Sequence, residues 1–248
     1  YKCRSKFYSS LFLPYDELAP TTAETMEVFV VILIIGAVIA GAIFSSMAAK
    51  KRREEFAVLA SQLGLHFSPD DDHDLADEFS FLDKLDQGSN RYAYNIMSGE
   101  YQGHQVKVFD YHYETHSRDS KGNRQTHHHY FSFFMLMLGR DFPELTIAPE
   151  GFFSKVAQAF GYDDIDFESH EFSQRFCVRS ADKKFAYDFC HTRTMEYLLA
   201  NDDLLVEVEG PVLAIAFSHC LEPLQIKENL DRLITLRSLL PEYLFAKR

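Results

Sequence analysis

The sequence predicts an α+β protein: an N-terminal transmembrane helix, then an antiparallel sheet domain packed with several helices, including a long C-terminal one. Three observations predict it. Residues 28–49 (VFVVILIIGAVIAGAIFSSMAA) carry no charge, and at about 1.5 Å rise per residue they make roughly 33 Å of helix, enough to cross a hydrocarbon core of about 30 Å. Between 92 and 217, apolar runs of strand-like length are bounded by Gly, Pro and Asn. Residues 222–240 repeat apolar side chains at helical spacing.

Taken in order, the chain divides into a short extracytoplasmic segment (1–25), the transmembrane helix (26–49), a juxtamembrane basic cluster and helix (50–66), an acidic linker (67–91) and an α+β domain (92–248). Residues 1–25 contain Cys3, two prolines and no apolar periodicity. Met26 lies two residues before the apolar run and is the expected natural start. The run is too long for the core of a signal peptide. Its upstream flank is acidic, with Asp16, Glu17, Glu24 and Glu27, although Ser46-Met47-Ala48 has the small-x-small form of a cleavage site.

Lys50, Lys51, Arg52 and Arg53 follow the run, whereas Lys2, Arg4 and Lys6 lie far from it. Basic residues stay on the cytoplasmic side, so the large domain is expected in the cytoplasm. Gly36 with Ala40, and Ala37 with Gly41, form two small-xxx-small pairs able to bring two helices close in a homodimer.

Phe56, Leu59, Ala60 and Leu63 share a helix face, and Gly64 stops that helix. Asp70, Asp71, Asp72 and Asp74 surround His73 without the spacing of a calcium loop. Strands are expected at 92–101 and 104–114, joined by Gln102-Gly103, then at 127–138 after a long polar loop (115–126), with a short one at 145–148. The apolar run FSFFMLML suits a central strand buried on both faces. A helix is expected at 150–160, with Phe152, Phe153, Val156 and Phe160 on one side and Gly161 at its end.

Residues 164–168 alternate, with Ile165 and Phe167 inward and Asp164, Asp166 and Glu168 outward. A short strand is expected at 176–179. Ser180 and Thr192 have the chemistry to cap two short helices. Residues 204–209 and 212–217 read as a hairpin across Gly210-Pro211. In the last helix Ile226, Leu230, Leu233, Ile234 and Leu240 form the apolar stripe, Pro223 sits in the first turn and Pro241 ends it.

The net charge of −12 argues against nucleic acid as a partner. The basic block beside the apolar run points instead to a lipid bilayer. Cys3, Cys177, Cys190 and Cys220 contain no CxxC pair, so zinc-ribbon and thioredoxin chemistry are not indicated, and free thiols fit a reducing compartment. Phosphate-binding, dinucleotide, nucleophile-elbow and HExxH motifs are absent from the sequence. Cys190-His191 are neighbours in sequence, but a catalytic pair is made by the fold rather than by adjacency.

Six of the eleven histidines fall between 104 and 129. His112 and His116 have helical metal spacing, yet in a strand they stand about 13 Å apart. If 104–114 and 127–138 pair, His112 meets His127 or His129, close enough to hold zinc or copper. Without an evident outer shell of supporting groups, no metal or cofactor is expected there.

Four segments, FDYHYET (109–115), RQTHHH (124–129), LTIAPEG (145–151) and DIDFESHEFSQRFCVRSADKKFAY (164–187), resemble an uncharacterised bacterial family with one N-terminal membrane helix before a cytoplasmic α+β domain. The resemblance covers about 52–245 and implies a protein of the bacterial cytoplasmic membrane. It brings no assigned reaction, and it places RQTH at a variable hairpin tip, which weakens a role for all three consecutive histidines. The function expected is a non-enzymatic interaction or scaffold module, with an unknown protein partner contacting 115–126. The alternative is a membrane-tethered enzyme or metal-binding protein with a site of dispersed acids and histidines, such as Asp164, Asp166 and Glu168.

Overall fold

In a computed structural model the structure describes residues 22–150 and 165–246. The chain divides into two compact units, Tyr1–Lys51 and Arg52–Arg248. Helix α1 (Thr22–Leu63) is continuous, where a transmembrane helix and a separate juxtamembrane helix were expected. It is long and apolar enough to cross a membrane. Within the second unit Phe56 and Ala60 are buried, with Leu59 and Leu63 packed beside them. Gly64 follows in the left-handed region at φ +72°, the conformation that releases a chain from a helix at little steric cost.

The domain is an antiparallel six-stranded sheet: β1 (His66–Ser68), β2 (Ser89–Tyr101), β3 (His104–Arg118), β4 (Arg124–Pro149), β5 (Phe176–Ser180) and β6 (Leu205–Ala216). β1, β2, β3 and β4 are neighbours in that order. β4 runs for 26 residues and is the axis of the sheet. β3 and then β5 pair along one of its edges, and β6 along the other. The expected strands 127–138 and 145–148 are thus one strand, bent at Gly139 (φ +74°).

The expected hairpin across Gly210-Pro211 is likewise one strand. Gly210 (φ +53°) forms an irregularity facing the one in β4. Pro211 lacks an N–H, which a strand hydrogen-bonded along one edge tolerates.

Two cores flank the sheet. One gathers Phe56 and Ala60 of α1 with α3 (His170–Arg175), α4 (Lys183–Phe189), α5 (Thr192–Leu199) and α6 (Pro223–Leu239). In α6, Ile226, Leu230 and Leu233 are fully buried, and so is Leu236, which the sequence reading did not include. The other core corrects the expected acidic linker at 67–91. Asp72 caps α2 (His73–Glu78), and Leu75, Ala76, Phe79, Leu82 and Leu85 bury themselves against Phe109, Tyr111, Phe131 and Phe133. Asp70, Asp71, Asp74, Asp77 and Asp86 occupy the exposed side of an amphipathic segment.

Smaller corrections concern the caps. Asp182, not Ser180, caps α4 through the Phe185 amide, and His191 precedes α5, with Thr192 its first residue. Of the expected helix at 150–160, residues 151–160 lie outside the described residues, with Gly161 and Asp164.

Candidate functional site

Strand alternation sorts the polar residues of β3. Val106, Val108, Asp110, His112 and Glu114 share the face that α1 and α6 cover, while Phe109, Tyr111 and Tyr113 face α2. Two irregularities in the β2–β3 ladder, between Ser89 and Tyr92 and between Tyr94 and Met97, hold Asn90 (φ +50°) and Asn95 (φ +52°). Asn tolerates the left-handed region better than most side chains, and bulges re-aim side chains. Each asparagine serves one polar cluster.

Asn95 serves the cluster around Asp110, whose side chain is fully buried. Arg52 Nε and Nη2 donate to the two Asp110 oxygens at 2.9 Å each. Asn95 Nδ2 and Ser132 Oγ donate to the same carboxylate at 2.9 Å. Arg52 Nη2 also donates to the Leu221 carbonyl at 2.8 Å, and the Leu221 amide donates to Ser132 Oγ at 2.9 Å. The guanidinium lies over the Phe56 ring, 4.7 Å from its centroid.

Burial works against the Arg52 charge, but the Asp110 carboxylate outweighs it and raises the guanidinium pKa. Burial, then the Asp110 charge, pushes the nearby Cys220 thiol up to about 12, so this cysteine is not a poised nucleophile. Of the four basic residues after the apolar run, Lys50, Lys51 and Arg53 are exposed, while Arg52 turns into the domain.

Asn90 serves the cluster around His112, which is 2% exposed. His112 Nδ1 lies 3.0 Å from the Asn90 carbonyl. A carbonyl only accepts, so Nδ1 carries the proton and Nε2 of the neutral ring presents a lone pair. That Nε2 is 3.0 Å from Nδ1 of His128. Glu114 Oε1 is 3.6 Å from the same His128 nitrogen and accepts from Asn90 Nδ2 at 2.7 Å.

Tyr92 and Tyr130 flank the His112 ring, with centroids 4.6 and 4.8 Å away. Burial lowers the pKa of His112, and the Asn90 bond lowers that of Glu114. Among the described residues, His112, Glu114 and His128 form a group whose ligand atoms lie within 4.8 Å of one another.

This corrects the expected pairing of His112 with His127 or His129. The β3–β4 register sets His112 opposite Tyr130, so even-numbered residues of both strands share a face and only His128 of the run joins His112. His127 and His129 lie on the other face. Their Nε2 atoms pair with Ser117 Oγ and Thr115 Oγ, each at 2.8 Å.

The other candidates separate. Asp166 and Glu168 are exposed outside any named strand, with Ile165 buried as expected. Cys190 is buried, with its thiol pushed up by burial, and His191 Nε2 pairs with the Leu239 carbonyl at 2.8 Å, so the two are packing and capping residues. A cleft missed in the sequence is lined by Asp83, Glu144, Glu207 and Glu209. Burial pushes Asp83 up to about 6, Glu207 to about 8 and Glu209 to about 7. The Lys84 amide donates to Glu207 at 3.0 Å, and the cleft leaves no room for a bound molecule.

The architecture is that of an α+β domain preceded by a helix long and apolar enough to span a membrane. No family model matches the chain, and no curated protein matches it. Among solved structures, the crystal structure of the mycobacterial trehalose monomycolate transport factor A, TtfA, matches with a TM-score of 0.53 at 14% identity, covering 78% of this chain and 96% of that one. At that identity the likeness is one of fold alone.

Proposed function

We propose that this is a single-pass protein of the bacterial cytoplasmic membrane, with Arg52–Arg248 in the cytoplasm as a non-enzymatic interaction module. The observation that carries the reading is the outer part of the β3–β4 ladder. It stays paired from Val106–Leu136 to Arg118–Arg124, although residues 121–128 are all exposed. A two-stranded ribbon without a core is only marginally stable in water. Here Ser117–His127, Thr115–His129 and His116–Thr126 contacts and the stacked Tyr113–His129 rings order it. Exposed strands held in register make a contact arm for a protein partner. The solved neighbour is named a transport factor, and an accessory of a transport process is the kind of role this reading gives the chain. Homodimerisation through Gly36, Ala37, Ala40 and Gly41 belongs to the same reading.

Photocrosslinking in native membranes tests it. A crosslinker at Lys121 is expected to give a discrete product that disappears when 117–125 are replaced by an Asn-Gly turn. A product that survives the trimming, or forms equally from Lys227 on α6, refutes the arm as the contact surface.

A further inference from the structure

We propose that His112, Glu114 and His128 form a binding site for one zinc-class divalent ion, independent of the interaction reading above. The set considered from the sequence paired His112 with His127 or His129, and those two residues lie on the opposite face of the ribbon. The set that the register assembles has different chemistry. Two imidazole nitrogens and a carboxylate oxygen are a three-ligand zinc set with one coordination position left for solvent. Calcium and magnesium prefer all-oxygen sites.

The distances fit. Zinc bonds of about 2.05 Å in a tetrahedron put ligand atoms about 3.3 Å apart. The His112–His128 and His128–Glu114 separations, 3.0 and 3.6 Å, lie on either side of that value. Closing the third edge from within 4.8 Å takes only a side-chain adjustment of Glu114 or His128.

The surroundings already hold the ligands as a metal requires. Metal-bound histidines donate their second ring N–H to a carbonyl or carboxylate, which fixes the tautomer. His112 makes that bond to Asn90, and the Asn90 amide orients Glu114. One residue in a left-handed bulge therefore sets two of the three ligands. Gly88 lets that segment lie against β3: a Cβ there would stand 2.2 Å from the Glu114 carbonyl oxygen. Tyr92 and Tyr130 fix the plane of the buried His112 ring.

His128, with a half-exposed side chain, is the mobile ligand. Without an ion, His128 Nδ1 donates to His112 Nε2, whose lone pair can only accept. On binding, that proton moves to Nε2 of the same ring and the ion takes its place.

The test uses the full chain, made without a histidine tag, purified in detergent and stripped with chelator. Zn²⁺ is titrated by calorimetry, and Co²⁺ by visible absorption, which reports tetrahedral coordination. The expected result is one ion per chain with Kd of about 1 µM or tighter. His128→Ala is expected to weaken binding about 100-fold and Glu114→Gln at least about 10-fold, while His127→Ala stays within about threefold of the parent. His128 is exposed, so its loss leaves the fold intact and avoids dependence on a His112 variant that fails to fold. Stoichiometric binding lost on His128→Ala but kept on His127→Ala establishes the site. No saturable binding, or equal loss in the two variants, overturns it.

Discussion

Replacing Arg52 with Ala strands a buried charge, because Asp110 is fully enclosed and receives two of its four side-chain hydrogen bonds from this one guanidinium. Two unit charges about 4 Å apart interact by about 4 kcal/mol at an effective dielectric of 20. Breaking a buried pair from one side costs about 3–5 kcal/mol. The ring contact with Phe56 and the bond to Leu221 disappear as well. For a domain of this size each kcal/mol moves the melting temperature by about 2–4 °C. Arg52→Ala should therefore lower it by about 8–16 °C, followed by near-ultraviolet circular dichroism of the tyrosines in detergent.

Asp110→Leu removes the stranded charge. Combined with Arg52→Met, it should lose about 2–3 kcal/mol less than the two single changes added together. A shift below about 3 °C for Arg52→Ala, or additivity to within about 0.5 kcal/mol, would refute the reasoning.

Further expectations concern backbone, pH and placement. Gly88 has φ +67° and no space for a Cβ, whereas Gly122 has φ +84° and open surroundings. Gly88→Ala should cost more than about 2 kcal/mol in urea unfolding and Gly122→Ala about 1 kcal/mol, and equal costs would show that the close approach to Glu114 is unimportant. Glu207 has its folded-state pKa raised from 4.5 to about 8 by burial. A raised carboxyl gives stability that is full below its unfolded value and lost as pH rises through the folded one. Melting temperature should fall between about pH 5 and 9 and fall less in Glu207→Gln; a parallel decline in the two proteins excludes Glu207 as the cause. An alkaline phosphatase fused after Arg248 should be inactive, since that enzyme needs the periplasm; activity would reverse the orientation. Neutralising Lys50, Lys51 and Arg53 should loosen the orientation without the stability loss of Arg52→Ala, since these three are exposed.

Local chemistry made much of the fold legible. The run FSFFMLML announced a strand buried on both faces, and Phe56, Leu59, Ala60 and Leu63 marked the helix face that packs on the core. Gln102-Gly103 announced the β2–β3 turn, with both residues at positive φ. What stayed hidden was set by pairing. Gly139 and Gly210 looked like strand ends and are facing irregularities inside continuous strands. Residues 67–91 read as a linker because aspartates outnumber the few apolar side chains that do the packing.

The histidine site depended on register. Partners in the β3–β4 ladder have numbers summing to 242, so His112 can share a face only with even-numbered residues of β4. Five residues, 119–123, separate the last pair; a loop of even length would have brought His127 and His129 round instead. Asp110 carried a sequence signal that went unused, a carboxylate between Phe109 and Tyr111 in mid-strand, where a buried charge needs a cation.

The bond between Arg52 and Leu221 joins positions 169 residues apart. At about 5–20 residues per second, the ribosome needs roughly 10–30 s to make the chain between them. For most of that interval, once Leu63 is made, α1 is complete, while Asp110, once synthesised, has neither the Leu221 backbone nor a finished sheet to enclose it. If α1 enters a membrane during synthesis, Arg52 first acts as a solvated charge that helps to orient the helix. It becomes the partly buried partner of Asp110 only when β6 and the turn after it arrive. One residue then has two successive occupations, and the domain cannot close before its C-terminal quarter exists. A truncation before residue 221 would therefore remain anchored yet be a substrate for quality-control proteolysis.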